Sequence, residues 1–307
     1  MAADTTKNRA QKITPNLWFD TQAEEAANFY VTLFDNSRIG EITRYDDASA
    51  EVSGQPQGSA MTVSFELAGQ RFVALNGGPQ FQFTPAISFF VYCPTEAEVD
   101  ELYAELSDGG AVLMPLQKYP FNDRYAWVQD RFGVSWQLYL GEPRPWKIAL
   151  SLMFVGEQSG KAEEAMQLYT SLFEDSSIEG VDRYGAGEAP EVEGTVRHAS
   201  FWLDGQEFMA MDSNHQHNFT FNEAVSFIVD CRDQEEVDYF WDNLTAGGEE
   251  QPCAWLKDKF GVSWQIVPRQ LMQMITADDR EKAGRAVQAM LQMKKIDIAG
   301  LERAFNG

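Results

Sequence analysis

Asp130-Arg131-Phe132-Gly133-Val134-Ser135-Trp136-Gln137 returns almost letter for letter as Asp258-Lys259-Phe260-Gly261-Val262-Ser263-Trp264-Gln265, so the chain carries one unit twice. In each copy an Asp-Arg/Lys-Phe-Gly turn, with Gly free to take a positive φ, feeds a strand of alternating apolar and polar residues. Upstream, Ile13 to Phe19 reads as a strand, followed by Asp20-Thr21 as a cap and a helix with Ala23, Ala26, Ala27, Tyr30, Leu33 and Phe34 on one face. Leu150 to Val155 and the stripe Ala162, Ala165, Met166, Tyr169, Leu172, Phe173 repeat that pattern. A short strand closing on Arg44-Tyr45 or Arg183-Tyr184 follows, and then two strands joined at Ala68-Gly69-Gln70 in one half and at Asp204-Gly205-Gln206 in the other. A second round then begins at Ala86 and at Ala224, with Thr95/Glu98 and Asp233/Glu236 at capping-box spacing and helices closing at Gly109-Gly110 and Gly247-Gly248. The expected architecture is α+β, with four βαβββ modules, two per half. A module of this kind cannot cover its own sheet face and must pair with another.

The length of 307 residues suits two domains. The repeat places them at 13–141 and 148–268, with the linker Glu142-Pro-Arg-Pro145 inside 142–147 and a helical extension over 269–307. Residues 1–12 are expected to be a disordered start without a signal sequence, which makes a cytoplasmic location the expectation. No apolar run approaches the ~20 residues of a membrane span. A formal charge of −23 argues against nucleic acid as a partner, since phosphate contacts need clustered Lys and Arg. Three cysteines make no disulfide framework, and Cys93 and Cys231, at equivalent strand positions, read as small buried hydrophobes. The segment Pro115 to Arg124 is peculiar to the first half and allows two readings, a lid or a freely varying loop. In the extension, Thr276 with Asp279 is expected to open a helix whose apolar face straps onto a sheet or a partner chain.

On Glu24-Glu25-Ala26-Ala27-Asn28-Phe29-Tyr30 with Leu33-Phe34, on Phe221 to Phe227 and on Trp255 to Gln265, the chain resembles the vicinal-oxygen-chelate superfamily of glyoxalases, ring-cleaving dioxygenases and bleomycin-resistance proteins. It is similar in particular to the PhnB-like branch often labelled 3-demethylubiquinone-9 3-methyltransferase. The resemblance runs from Ile13 to Pro268 and includes Met293 to Asp297 of the tail. It implies two glyoxalase-like domains in which paired modules curl into cups. Metal-using members set one His or Glu from each of four strands into the cup. At the matching positions this sequence has Gln137 and Gln265, Ser88 and Ser226, Asn16 and Ser151, and Asn76 and Asp212. Imidazole and carboxylate are scarce in that set, so no metal or other cofactor is expected.

The expected function is binding of a small hydrophobic or aromatic ligand in apolar cups. Trp18, Asn76, Ser88, Trp127 and Gln137 are expected to line the first; His198, Asp212, Ser226, Trp255 and Gln265 are expected to line the second. The alternative is a glyoxalase- or dioxygenase-type enzyme using His198 and Asp212 of the second cup. His215 and His217 alternate along a polar loop and read as a surface pair. Methyl transfer conflicts with the sequence, because no strand leads through a Gly-rich turn into a helix. A fused pair already supplies the interface that single-domain relatives obtain by dimerising, so both monomer and homodimer stay open.

Overall fold

The computed structural model describes residues 11–45, 50 and 54–307. The expected disordered start lies outside the described residues up to residue 10. Its last two members are held: Gln11 exchanges two hydrogen bonds with the Arg71 backbone (2.8 and 3.0 Å), and Lys12 binds Asp230 O and Glu236 (each 2.6 Å). The four modules appear in order. The first comprises β1 (Ile13–Phe19), α1 (Ala23–Tyr30), β2 (Arg38–Arg44), β3 (Ala60–Leu67) and β4 (Gln70–Asn76), and the second β5 (Ile87–Cys93), α2 (Glu96–Ser107), β6 (Ala111–Tyr119), β7 (Asn122–Gln129) and β8 (Ser135–Leu140). The third comprises β9 (Ile148–Val155), α3 (Ala162–Leu172), β10 (Ser177–Arg183), β11 (Val196–Leu203) and β12 (Gln206–Ser213). The fourth comprises β13 (Val225–Cys231), α4 (Gln234–Leu244), β14 (Glu249–Glu250), β15 (Trp255–Lys257) and β16 (Ser263–Pro268), followed by α5 (Arg269–Ile275), α6 (Arg280–Met290) and α7 (Ile298–Asn306).

The chain forms two compact units, one containing residues 16–225 and the other residues 12–15 with 226–307. The larger contains a complete eight-stranded mixed sheet in the order β10-β11-β12-β9-β5-β8-β7-β6, together with the run β1-β4-β3-β2. In that eight-stranded sheet the second module pairs with the third: β5 and β9 run antiparallel, with Ser88 opposite Ser151 and Phe90 opposite Ala149. Within each module the first and last strands pair in parallel, as β1 with β4, β5 with β8 and β9 with β12. Every residue of β5 and of β9 is buried, as expected of strands covered on both faces. Helices α2 and α3 lie on one face of this sheet. The first module packs there too, through rings such as Phe72 on Phe89 (5.7 Å) and Tyr30 on Trp136 (5.3 Å).

The repeated octapeptide owes its spelling to its Asp. Asp130 Oδ1 accepts from the Phe132 and Val134 amides (2.9 and 3.0 Å), while Oδ2 accepts from Trp136 Nε1 and Tyr30 Oη (each 2.8 Å). Asp258 repeats the first three with Phe260, Val262 and Trp264 at 2.9, 3.1 and 2.9 Å. The turn glycines take φ of 90° and 87° at Gly133 and Gly261, a region closed to most side chains. The motif is thus a turn whose buried carboxylate is filled by its own loop and indole.

The helix starts depart from expectation. Neither α1 nor α3 is capped by a neighbouring side chain, so Asp20-Thr21 is not the cap. The end of the parallel strand does the capping: Asn76 Oδ1 accepts from Ala23 N (2.8 Å), and Asp212 Oδ1 accepts from Gly160 N (2.8 Å) and Ala162 N (3.1 Å). At α2 and α4 the expected Thr95 and Asp233 do accept from Glu98 N and Glu236 N (3.2 and 3.0 Å). Glu98, however, turns away to Lys147, whereas Glu236 binds Lys12 through one oxygen and with the other accepts from the Arg232 amide at 2.6 Å, one residue before the cap. The segment special to the first half is neither lid nor loop; it lengthens the β6–β7 hairpin, with Gln117 opposite Tyr125 and Tyr119 opposite Asn122.

In the smaller unit β14-β15-β16-β13 are neighbours in that order. The tail packs on this sheet through a core of Ala254, Leu271, Met274, Ala286, Ile296 and Leu301. Cys253 N and Ala254 N donate to Met293 O and Lys294 O (2.8 and 2.9 Å), so the tail is the strap expected of its apolar face. Its second helix starts at Arg280, four residues beyond Thr276, and is capped by Asp279, which accepts from Lys282 N at 3.2 Å. Thr276 instead closes α5, its hydroxyl donating to Met272 O at 2.7 Å. No helix of the described residues is long and apolar enough to cross a membrane.

Candidate functional site

Strand alternation sends Ser88, Phe90 and Tyr92 of β5 to the face of the eight-stranded sheet opposite α2 and α3. The same face receives Gln137 and Tyr139 of β8, Tyr125 and Trp127 of β7, Ala149 and Ser151 of β9, Glu207 and Met209 of β12, and His198 and Ser200 of β11. This face is concave. Phe90 and His198 stand three strands apart, about 14 Å on a flat sheet at ~4.8 Å per strand, yet their ring centres lie 6.4 Å apart. Phe90, Tyr92, Tyr125, Ala149 and Met209 pack as one apolar cluster, with Met114, Tyr119, Trp127 and Tyr139 partly buried around it.

At its floor lies a polar knot. Gln137 is 2% exposed; its Nε2 donates to Ser88 Oγ at 2.7 Å and reaches Ser151 Oγ at 3.4 Å, while its Oε1 accepts from Tyr125 Oη at 2.6 Å. Trp127 Nε1 donates to Ser135 Oγ at 2.8 Å. These strand positions are the ones the resemblance would give to metal ligands, and a metal does not fit them: two hydroxyls and an amide, already bonded to one another, are weak donors for zinc or nickel. Among the described residues no group of three or more His, Cys, Asp and Glu could hold a metal ion.

The grouping of candidates differs from one cup per half. Ser88, Trp127 and Gln137 of the first half share their face with His198 of the second, because the second module pairs with the third. Asn76 and Asp212 line no cup; they cap helices, and their opposite ends explain why one is an amide and the other a carboxylate. Asn76 Nδ2 donates to Ala60 O (2.9 Å), whereas Asp212 Oδ2 accepts from Val196 N (2.9 Å). Burial raises the Asp212 pKa against these amide donors. Trp18 donates from Nε1 to Gly78 O at 2.8 Å and meets Phe81 edge-on at 5.0 Å. In the smaller unit Gln265 Nε2 donates to Ser226 Oγ at 3.0 Å, and Trp255 lies opposite Gln265 on the next strand.

His198 is pushed down from its ordinary pKa by burial, with Asp182 opposing, and is therefore a neutral imidazole at pH 7. The loop histidines are not a bare surface pair: His217 Nε2 lies 3.0 Å from Ser213 Oγ, which donates to Glu191 Oε1 at 3.1 Å. A serine whose only proton goes to Glu191 is not being activated by that histidine. The thiols of Cys93 and Cys231 are raised to about 12 by burial and are inert, as expected.

Sequence reasoning missed Glu207, Ser200, Tyr92 and Tyr125. Alternation offered a signal for the first, since Glu207 shares its parity with Met209 and Met211 and is therefore an acid on an apolar face.

A family model, 3-demethylubiquinone-9 3-methyltransferase, matches residues 11–139 and again 146–267. A solved PhnB protein from Bacillus cereus is 44% identical over 43% of this chain and 100% of its own, with a TM-score of 0.40. A variant of glyoxalase I from Zea mays is 10% identical and covers 84% of this chain and 94% of its own with a TM-score of 0.52, a likeness of fold. A search of the curated proteins found no match. Matched by the same model in both halves, the chain belongs to the 3-demethylubiquinone-9 3-methyltransferase family, as a tandem member with the vicinal-oxygen-chelate fold.

Proposed function

We propose that this chain is a small-molecule binding protein whose site is the concave face shared by the second and third modules. The observation that carries the reading is Gln137, held by Tyr125, Ser88 and Ser151 beside a cluster of aromatic and apolar side chains on that face. A buried amide fixed on both ends gives orientation, and flat rings around it favour a planar apolar ligand. Methyl transfer is not proposed despite the family's label: Gly77-Gly78 leaves β4 toward another strand, and the sheets are mixed rather than doubly wound.

A thermal-shift screen with planar aromatic compounds tests this. A ligand at a hundred times its Kd stabilises the fold by about 2.7 kcal/mol. That shift is expected in the native protein and in Trp255→Ala but lost in Trp127→Ala, with both variants folded. Equal shifts in all three would refute the assignment of the site. His198 favours a second reading, glyoxalase-type proton transfer, because a neutral imidazole on the same face can accept a proton. That reading requires hemithioacetal turnover by the protein without added metal, lost in His198→Gln.

A further inference from the structure

Glu207 is 0% exposed and belongs to the concave face, between Tyr92 and Met209. Its Oε1 accepts from Tyr92 Oη at 3.0 Å and from Ser200 Oγ at 3.1 Å. Its Oε2 is buried and has no hydrogen-bond partner, and among the described residues Glu207 enters no ion pair. Directly opposite on β11 stands Trp202, whose Nε1 is also buried without a partner. Ser200 and Trp202 are only half-buried, so the bare oxygen lies one layer behind the surface of the cup. Arg144 lies over the Tyr92 ring at 5.3 Å and covers the tyrosine, not the acid.

A carboxylate oxygen left bare in an aromatic pocket calls for a donor, and a positively charged donor above all, since aromatic faces also attract cations. Deepening the binding function proposed above, and resting on it, we propose that the ligand is an organic cation. It is a flat ring system carrying a protonated amine, amidine or guanidine whose N–H groups bond Glu207 Oε2, with an acceptor atom elsewhere for the Trp202 indole. Anionic ligands are disfavoured by the same oxygen.

Calorimetric titration of the full chain with 2-naphthamidine, 2-naphthamide and 2-naphthoate separates the possibilities, because the three differ in charge and hardly in shape. In the native protein the amidine is expected to bind at least about tenfold more tightly than the amide, as a hydrogen bond to a charged group warrants, and the carboxylate most weakly. Glu207→Gln, nearly isosteric, is expected to bring amidine and amide within about threefold while leaving amide affinity in place. If that variant fails to fold, the native protein is titrated again in about 0.5 M NaCl, which screens surface charge far more than a buried carboxylate: the amidine preference is expected to persist, and its loss would overturn the assignment. Amide and amidine binding equally would overturn the cation assignment and leave the binding function standing. An amidine preference kept in Glu207→Gln would mean attraction to the acidic surface only and would also overturn it. Failure of all three to bind would sink both.

Discussion

Gln70 and Gln206 occupy the same place in the repeat, the first residue of β4 and of β12 after a two-residue turn, and are buried to 2% and 3% exposure. Gln70 mimics a strand: its Nε2 donates to Ile148 O at 2.7 Å, and its Oε1 accepts from Ile148 N at 2.9 Å. Gln206 makes neither bond; both ends of its amide are buried and unpartnered. Replacing each by the nearly isosteric Met should therefore have opposite effects. In Gln70→Met two bonds vanish and the Ile148 amide and carbonyl stay buried without partners, at about 1–3 kcal/mol each. Removal of the desolvated glutamine amide offsets about 1–2 kcal/mol of that, leaving a net loss of roughly 0–5 kcal/mol, centred near 2.5 kcal/mol. In Gln206→Met nothing is lost and the desolvated amide is removed, a gain of about 1–2 kcal/mol. Urea unfolding followed by tryptophan fluorescence measures both, provided the slopes match the native protein, so that a midpoint shift reports stability. Shifts of the same sign and similar size, or a loss above about 1 kcal/mol in Gln206→Met, would refute the argument that hydrogen-bond satisfaction distinguishes the two glutamines.

Asp130→Asn should destabilise by roughly 2–4 kcal/mol in the same assay, because an amide NH2 would face the Trp136 and Tyr30 donors. Asn76→Asp and Asp212→Asn should each cost about 1–2 kcal/mol, by setting oxygen against Ala60 O and nitrogen against Val196 N; calorimetric unfolding that finds either exchange neutral would deny the capping role. Burial lowers the His198 and His217 pKa values below that of the unfolded chain. Their contribution to stability is complete above the unfolded value of about 6.5 and is lost as pH falls through the folded values. Unfolding midpoints measured from pH 7.5 to pH 5 should drop, and His198→Gln should flatten part of that drop.

Much of the fold could be read from periodicity, whereas the partnering of modules could not. Each module announces itself through a helix stripe and alternating strands, yet β5 and β9 are buried on both faces and carry no alternation that names a neighbour. Any module can in principle cover any other, so chain order suggested one cup per half. The Ser88–Ser151 register shows instead that the second module meets the third. The same logic separates the site residues. Gln137 was legible because the repeated octapeptide marks it, and its setting needed only strand parity. Asn76 was misread because a cap supplied from 53 residues away leaves no local signature: the helix it serves begins at Gln22 and Ala23, where no cap is spelled. Glu207 was overlooked for a related reason. An acid at the second residue of a strand usually reads as a solvated edge, and only the folding of β11 and β5 over it turns that position into the interior. What a sequence conceals in such a fold is thus the contact between modules. The concave face is built from those contacts, so its chemistry follows from how the modules pair.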